Sequence, residues 1–267
     1  MGSNQMSNAP VYYALVQIRF APVAAMAKYV DEIQDLLRTQ GYPIFETNDM
    51  TQLSFEMNVQ GGAPMPQVST SLMWMLVNES RTAGFVLGKD YLTFHTTEYK
   101  TKEEFIPEIL KGLTAVAKVT NLSFITRIGL RYLDAVIPKP GEDYREYLND
   151  GLHNLKIDLE QVQSINEMVF KTEVEPLVNN GIFIVRVYSA ESQLGYPPGI
   201  ETHGLVACSK LTDTPVMWHA IVDTDHFVEE NMPVDIDGLD KQIRSLHAVI
   251  DKGFKHVVSQ HALDVWK

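Results

Sequence analysis

The sequence is short of cysteine, basic residues and long apolar runs, and each shortage excludes a class of protein. One cysteine, Cys208, cannot form an intrachain disulfide or a zinc site built from thiolates, and it fits a reducing cytoplasm. No apolar run approaches the length of a membrane span. Only 22 Lys and Arg stand against 34 Asp and Glu, which gives a net charge of −12. Broad nucleic-acid binding is therefore disfavoured, because it needs a basic face.

The motifs of common enzyme classes are missing as well. The sequence contains no GxGxxG, no P-loop lysine motif and no nucleophile elbow. The polar first residues, MGSNQMSN, have neither the basic region nor the apolar stretch of a signal peptide, so we expect residues 1–10 to be a tag and a disordered N-terminus. We predict a cytoplasmic protein, more a binding protein than an enzyme, with no cofactor and no metal.

Hydrophobic periodicity predicts an α+β fold. Alternating apolar residues predict strands at 11–20, 52–59, 71–78, 84–87, 91–98, 123–136, 166–174, 182–190, 204–211 and 217–225. Helical spacing predicts helices at 22–38, 101–119 and about 237–260. The sequence Asn179-Asn180-Gly181 predicts a hairpin turn. We expect antiparallel sheet with long helices packed on one face.

The order of these elements leaves the domain organisation open. A first α+β half at 11–137 and a second at 166–267 are separated by a connector, 138–165, that begins with Pro-Lys-Pro-Gly. Two similar ferredoxin-like or helix-grip-like halves satisfy this pattern, and so does one continuous sheet. In either case we expect one compact unit.

The stretch SFITRIGLRYLDAV at 123–136 is predicted to be the central strand. Period two places Arg127, Gly129 and Arg131 on one face, with the two arginines roughly 7 Å apart. Both guanidinium groups could reach one carboxylate or phosphate, and Gly129 would let a ligand approach. The alternative is that each arginine pairs with Asp or Glu on a neighbouring strand and serves stability.

The sequence resembles a sporadically distributed, uncharacterised bacterial family of similar length that is marked by a central RIGLRY-type motif. RIGLRY at 127–132 carries the resemblance, together with NAPVYYALVQIRF at 8–20, SLHAVIDKGF at 245–254 and Trp266. The family pattern favours Asn where this chain has Asp134. The resemblance implies a shared architecture and a bacterial origin, and it implies no substrate. The candidate anion- or ligand-binding residues are therefore Arg127, Gly129, Arg131, Tyr132 and Asp134.

Three histidines are weaker candidates. His219 shares a strand face with Asp223 and Asp225, but even His219 and Asp223 stand about 13 Å apart, too far to bind one metal ion. His247 could act as a general base beside a carboxylate from the sheet, or be a surface histidine. His95 closes a strand whose end looks solvent-facing.

Two functions remain open. The first is an accessory interaction protein that docks a protein partner, for which its acidic surface would suit a basic partner, or docks itself through a sheet edge or the final helix. The second is a small-molecule anion receptor or an enzyme with a site around Arg127 and Arg131.

Overall fold

A computed structural model describes residues 8–56, 65–153, 163–174 and 178–267. The predictions made for residues 1–7, for the end of the second predicted strand at 57–59 and for residues 154–162 of the connector lie outside these ranges.

The described chain forms one antiparallel sheet of nine strands. Its spatial order is β2-β3-β4-β5-β1-β6-β9-β8-β7. The strands are β1 (Val11–Phe20), β2 (Ile44–Glu56), β3 (Met65–Val77), β4 (Ala83–Leu87), β5 (Tyr91–Thr96), β6 (Ile125–Val136), β7 (Gln163–Val174), β8 (Val178–Ser192) and β9 (Met217–Met232). Strands β2 to β5 form one meander and β7 to β9 another, since strands that follow each other in sequence tend to pair.

Strands β1 and β6 join the two meanders. β1 pairs with β5 on one side and with β6 on the other, and β6 in turn pairs with β9. The inner edge strand of each meander, β5 in one and β9 in the other, is thereby hydrogen-bonded inside the sheet, while β2 and β7 remain its outer edges. β6, predicted to be the central strand, is an inner strand and the sixth of the nine, next to the middle strand β1.

Helices contribute apolar stripes to the main core. The α-helices of the described chain are α1 (Val30–Arg38), α2 (Lys102–Thr120), α3 (Ser209–Asp213), α4 (Ile236–Val257) and α5 (Gln260–Trp266). Ile109 and Leu113 of α2 and Leu246 and Ile250 of α4 are buried in one cluster with Ile128 of β6. The Thr101 hydroxyl caps α2 by accepting a hydrogen bond from the Glu104 N–H at 3.3 Å.

The opposite face of the sheet carries two smaller apolar clusters. One contains Tyr12, Leu133 and Ile221, and the other contains Met75 and Val86. Both are completed by the connection between β8 and β9, which supplies the buried residues Leu194, Leu205 and Leu211. The space between these two clusters is the cleft described below.

The predicted fold class, α+β halves with long helices packed on one face, is wrong. One large antiparallel sheet dominates the structure, and three of the five α-helices in the described ranges have nine residues or fewer. Of the two arrangements left open by the sequence, one continuous sheet is observed, because β6 pairs with β1 and also pairs with β9 along eleven positions from Ile125–Met232 to Val136–Ala220. The patterns of the separate strands could not reveal that this pair would close the gap between the meanders.

Three local predictions also need correction. The strand predicted at 204–211 is irregular chain followed by α3, because this segment covers the sheet without pairing with it. The turn predicted at 179–181 lies inside β8, where Asn180 has a φ of 52°. The helix predicted from residue 22 begins as a 3₁₀ turn at Met26–Lys28, before α1. No helix in the described ranges is both long and apolar enough to cross a lipid bilayer.

Candidate anion-binding cleft

A cleft of about 650 Å³ opens on the sheet face opposite α2 and α4. Strands β1, β5, β6 and β9 supply its sheet side, and residues 199–203 of the connection between β8 and β9 supply the other side. Its lining includes four basic residues, Arg19, Lys89, Arg127 and Arg131, and three acidic residues, Asp90, Glu201 and Asp225. The cleft is therefore locally basic in a protein whose net charge is strongly negative.

Register places the polar end of β1 beside the arginines of β6. Arg19 lies opposite Arg127, and Gln17 lies opposite Gly129. The sequence pattern indicated this polar end, because Gln17 and Arg19 share a strand face with Leu15. The structure brings Arg127, Gly129 and Arg131 together on the cleft side, as period two predicted.

Arg131 is held by a buried carboxylate. Its guanidinium donates two hydrogen bonds to Asp223, of 2.8 and 2.6 Å, and the Asp223 side chain is 0% exposed. Arg186 of β8 lies 3.6 Å from the same carboxylate. Burial lowers the pKa of Arg131, but the hydrogen bonds and charge of Asp223 outweigh burial and raise it overall. Arg131 therefore matches the second prediction made for these arginines: it pairs with an acid on a neighbouring strand and serves stability.

Arg127 has no comparable partner. Its closest carboxylate is that of Glu229, at 3.4 Å from Nε, and Glu229 is 65% exposed. A second contact, from Nη1 to the Gln17 amide oxygen, is also long at 3.4 Å. The guanidinium lies over the Phe227 ring, 4.4 Å from the ring centroid. Burial lowers the pKa of Arg127, and the charges of Asp225 and Glu229 offset this fall only in part.

Gly129 makes room for the Arg127 side chain. A Cβ at this position would stand 3.0 Å from Arg127 Nη1 and 3.0 Å from the Cβ of Phe227. Because Gly129 has no side chain, the Arg127 guanidinium can lie over this position and against the Phe227 ring. The sequence had suggested that a ligand or a second backbone would use this space.

Asp225 is the acid that β9 contributes to the cleft. It lies directly opposite Arg131 in the pairing of β6 with β9. Burial raises the pKa of Asp225, although the charges of Arg127 and Arg131 act against this rise. The Asp225 carboxyl therefore takes up a proton more readily than an ordinary aspartate, and an anion bound nearby would favour that proton further.

A histidine and a tyrosine form the other end of the cleft. His95 is 1% exposed, and its Nδ1 lies 3.0 Å from the Tyr13 hydroxyl. Its Nε2 is buried and has no hydrogen-bond partner among the described residues. Burial lowers the pKa of His95 to about 3, so the ring is neutral at neutral pH. The ring of His203, from the covering connection, stands 6.0 Å away.

The structure separates the other predicted residues from the arginines. Tyr132 belongs to the main core on the helix side, and Asp134, two residues further, shares that side of β6. His247 of α4 packs against Tyr132, with ring centroids 5.7 Å apart, and the His247 Nε2 lies 3.4 Å from the Tyr99 hydroxyl. Burial lowers the pKa of His247 to about 4, and burial raises that of Asp134 to about 8.

His219 lies on the cleft-side face of β9 but outside the cleft. Its Nδ1 is 3.0 Å from the Met217 carbonyl oxygen, and its side chain is buried. Within the described residues, no three His, Cys, Asp or Glu side chains come close enough to bind one metal ion.

Sequence reasoning missed the contribution of Tyr13, His95 and His203. Period two does place Tyr91, Thr93 and His95 on one strand face, and this was the available signal. The expectation of a solvent-facing His95 is wrong because the connection between β8 and β9 covers it, and the strand pattern contains no sign of that cover.

The sequence matches no model of a known protein family, and a search of curated proteins finds none that is similar to it. The resemblance to the bacterial family with the RIGLRY-type motif therefore stays an interpretation of the sequence.

Proposed function

We propose that this protein binds a small anionic molecule in the cleft, with Arg127 as the anchor for its carboxylate or phosphate. Of the two functions left open by the sequence, this one has the stronger geometric support. The observation that carries it is the contrast between the two arginines: Arg131 is neutralised by Asp223, whereas Arg127 has no carboxylate of the described residues closer than 3.4 Å.

The properties of the cleft support a small ligand. Its volume of about 650 Å³ falls within the range of roughly 300–1,000 Å³ that is typical of small-molecule sites. Arg127 is preorganised by Phe227 and Gly129, so little side-chain freedom is lost when an anion binds. His95 lines the other end of the cleft, and its neutral ring suits an uncharged part of the same ligand.

The proposal assigns binding and no reaction. The His95 ring is neutral at neutral pH. We propose a bacterial cytoplasmic location, since the single cysteine suits a reducing compartment. Docking of a separate protein partner remains the second function that the sequence allows.

Native mass spectrometry of the purified protein without added ligand tests the proposal. We expect a retained small-molecule mass in the wild type and its loss in Arg127→Ala. Titration with sulfate and acetate then measures affinity directly, and Arg127→Ala should weaken binding about ten- to a hundredfold, the usual value of a charge-assisted hydrogen bond.

Arg244→Ala is the matched control. Arg244 is an arginine of α4 that is paired with Asp240 and does not line the cleft. Equal anion binding by the wild type and Arg127→Ala, or a loss of binding in Arg244→Ala of the same size, would contradict the proposal.

A further inference from the structure

The strand β7 forms one end of the sheet and carries a concentration of exposed apolar side chains. Within the described chain it pairs only with β8. Four of the ten large apolar side chains that are exposed in the described residues lie on it, namely Ile165, Met168, Val169 and Phe170, with exposures of 54, 37, 58 and 47%. An edge strand of this kind presents free backbone groups and apolar surface together, which is the usual template for pairing with another strand.

A groove continues this surface toward α4. Its volume is about 460 Å³, and its lining includes Met168, Phe170, Phe183 and Val249. The rings of Phe170 and Phe183 are stacked, 6.0 Å apart. Because Met168 and Phe170 point to the helix side of the sheet, a strand added beside β7 would cover the open side of the groove.

We propose that β7 pairs with β7 of a second copy of this chain, antiparallel and about a two-fold axis at Val169. An axis normal to the sheet keeps each side chain on its own face, so residues of the same parity lie opposite each other. With the axis at Val169, Glu167 lies opposite Lys171 of the second copy, and Met168 lies opposite its Phe170. The ion pair and the apolar contact are each formed twice by symmetry.

Neighbouring registers lack this complementarity. An axis at Met168 would leave both Glu167 and Lys171 opposite apolar side chains, whereas the axis at Val169 pairs these two charges and leaves only Glu173 opposite an apolar side chain, Ile165. An axis at Phe170 would place Glu167 against Glu173, and like charges directly opposite are destabilising. The charge pattern of β7 therefore matches a copy of itself in one register, and this match favours a second copy over an unrelated partner.

Both charged side chains are available for this contact. Lys171 is exposed, and Glu167 remains 49% exposed although it already pairs with Arg186 of its own chain at 2.5 Å. The dimer would join two nine-stranded sheets into one and leave both clefts open, so this inference does not depend on the proposed ligand.

Charge reversal tests the register. We expect a wild-type dimer by sedimentation equilibrium and native mass spectrometry. Lys171→Glu should weaken it about ten- to a hundredfold, because two attractions become two repulsions. Glu167→Lys should do the same, and the double variant that carries both changes should restore the dimer.

Mixing the two single variants gives a sharper result. Lys171→Glu carries acids at both positions and Glu167→Lys carries bases at both, so the mixture should form a heterodimer, identified by isotopic labelling of one chain. Lys28→Glu, at an exposed lysine of the 3₁₀ turn Met26–Lys28 and outside β7, is the control for charge alone and should leave the dimer unchanged. Thermal unfolding of each variant confirms that it is folded.

A wild-type protein that stays monomeric at its highest soluble concentration would overturn the proposal, and so would a dimer that Lys171→Glu does not weaken. Failure of the mixture to form a heterodimer would also overturn it, since register-specific pairing requires one. None of these outcomes affects the anion cleft, which Arg127→Ala tests separately.

Discussion

Replacing Arg131 by alanine should destabilise the protein far more than replacing Arg127. The change removes the bidentate partner of Asp223, a carboxylate whose side chain is 0% exposed. Asp223 cannot turn to water, so its charge would remain in the interior. The two arginines were equivalent in the sequence, and this experiment separates a structural arginine from one that is free to bind a ligand.

The magnitude follows from the geometry around Asp223. Removing one partner of a buried ion pair typically costs about 3–5 kcal/mol, because the remaining charge is uncompensated. Arg186, at 3.6 Å from the Asp223 carboxylate, still compensates part of its charge. We therefore expect Arg131→Ala to lower the free energy of unfolding by about 3 kcal/mol. For a chain of this size that corresponds to a fall in Tm of about 6–12 °C. Arg127→Ala should cost about 1 kcal/mol or less, since its contact with Glu229 is exposed.

Urea unfolding followed by circular dichroism measures these differences through the midpoint and slope of each transition. The double variant Arg131→Ala with Asp223→Asn is the informative control. The Asp223→Asn change removes the uncompensated carboxylate charge, so the double variant should be more stable than Arg131→Ala alone. A loss below about 1 kcal/mol in Arg131→Ala, or no recovery in the double variant, would refute this account of the buried pair.

Two further predictions concern pH. Burial raises the pKa of Asp134 to about 8, whereas in the unfolded chain it is near 4. Between these values only the folded state keeps the proton, so stability falls as pH rises from about 4 to about 8. Asp134→Asn should flatten this dependence, measured as urea midpoints at about pH 5 and about pH 8, and an unchanged slope would contradict the assignment. Burial also raises the pKa of Asp225, and a bound anion favours its protonated form, so affinity for sulfate should fall as pH rises. Calorimetric titration should show that Asp225→Asn loses this pH dependence; if it persists, another group is responsible.

Much of the local structure could be predicted because strand and helix periods depend on neighbouring residues. The stripes of α2 and α4, including Ile109 and Leu246, are buried as their spacing predicted. The alternation in β6 correctly placed Arg127 and Arg131 on one face. The irregular segment at 204–211 was mistaken for a strand because its alternating apolar residues cover another surface instead of pairing with a neighbour.

The candidate site was only half predictable for a related reason. Two arginines on one strand face are a local feature, but their different roles depend on what lies across from them. Asp223 reaches Arg131 from β9, and Phe227 of the same strand lies against Arg127. Neither contact can be inferred without the order and register of the strands.

The sequence by itself determined which residues alternate, where the polar end of β1 falls, and that β6 presents two arginines flanking a glycine. These are short-range properties, set by the two-residue period of a strand and by the absence of a Cβ at Gly129. Long-range contacts set the rest: β1 and β6 join the two meanders into one sheet, Asp223 neutralises one arginine, and a connecting segment covers His95. The physical reason is that strand pairing and burial join residues far apart in the chain, and the net charge and exposure of each group follow from those long-range contacts.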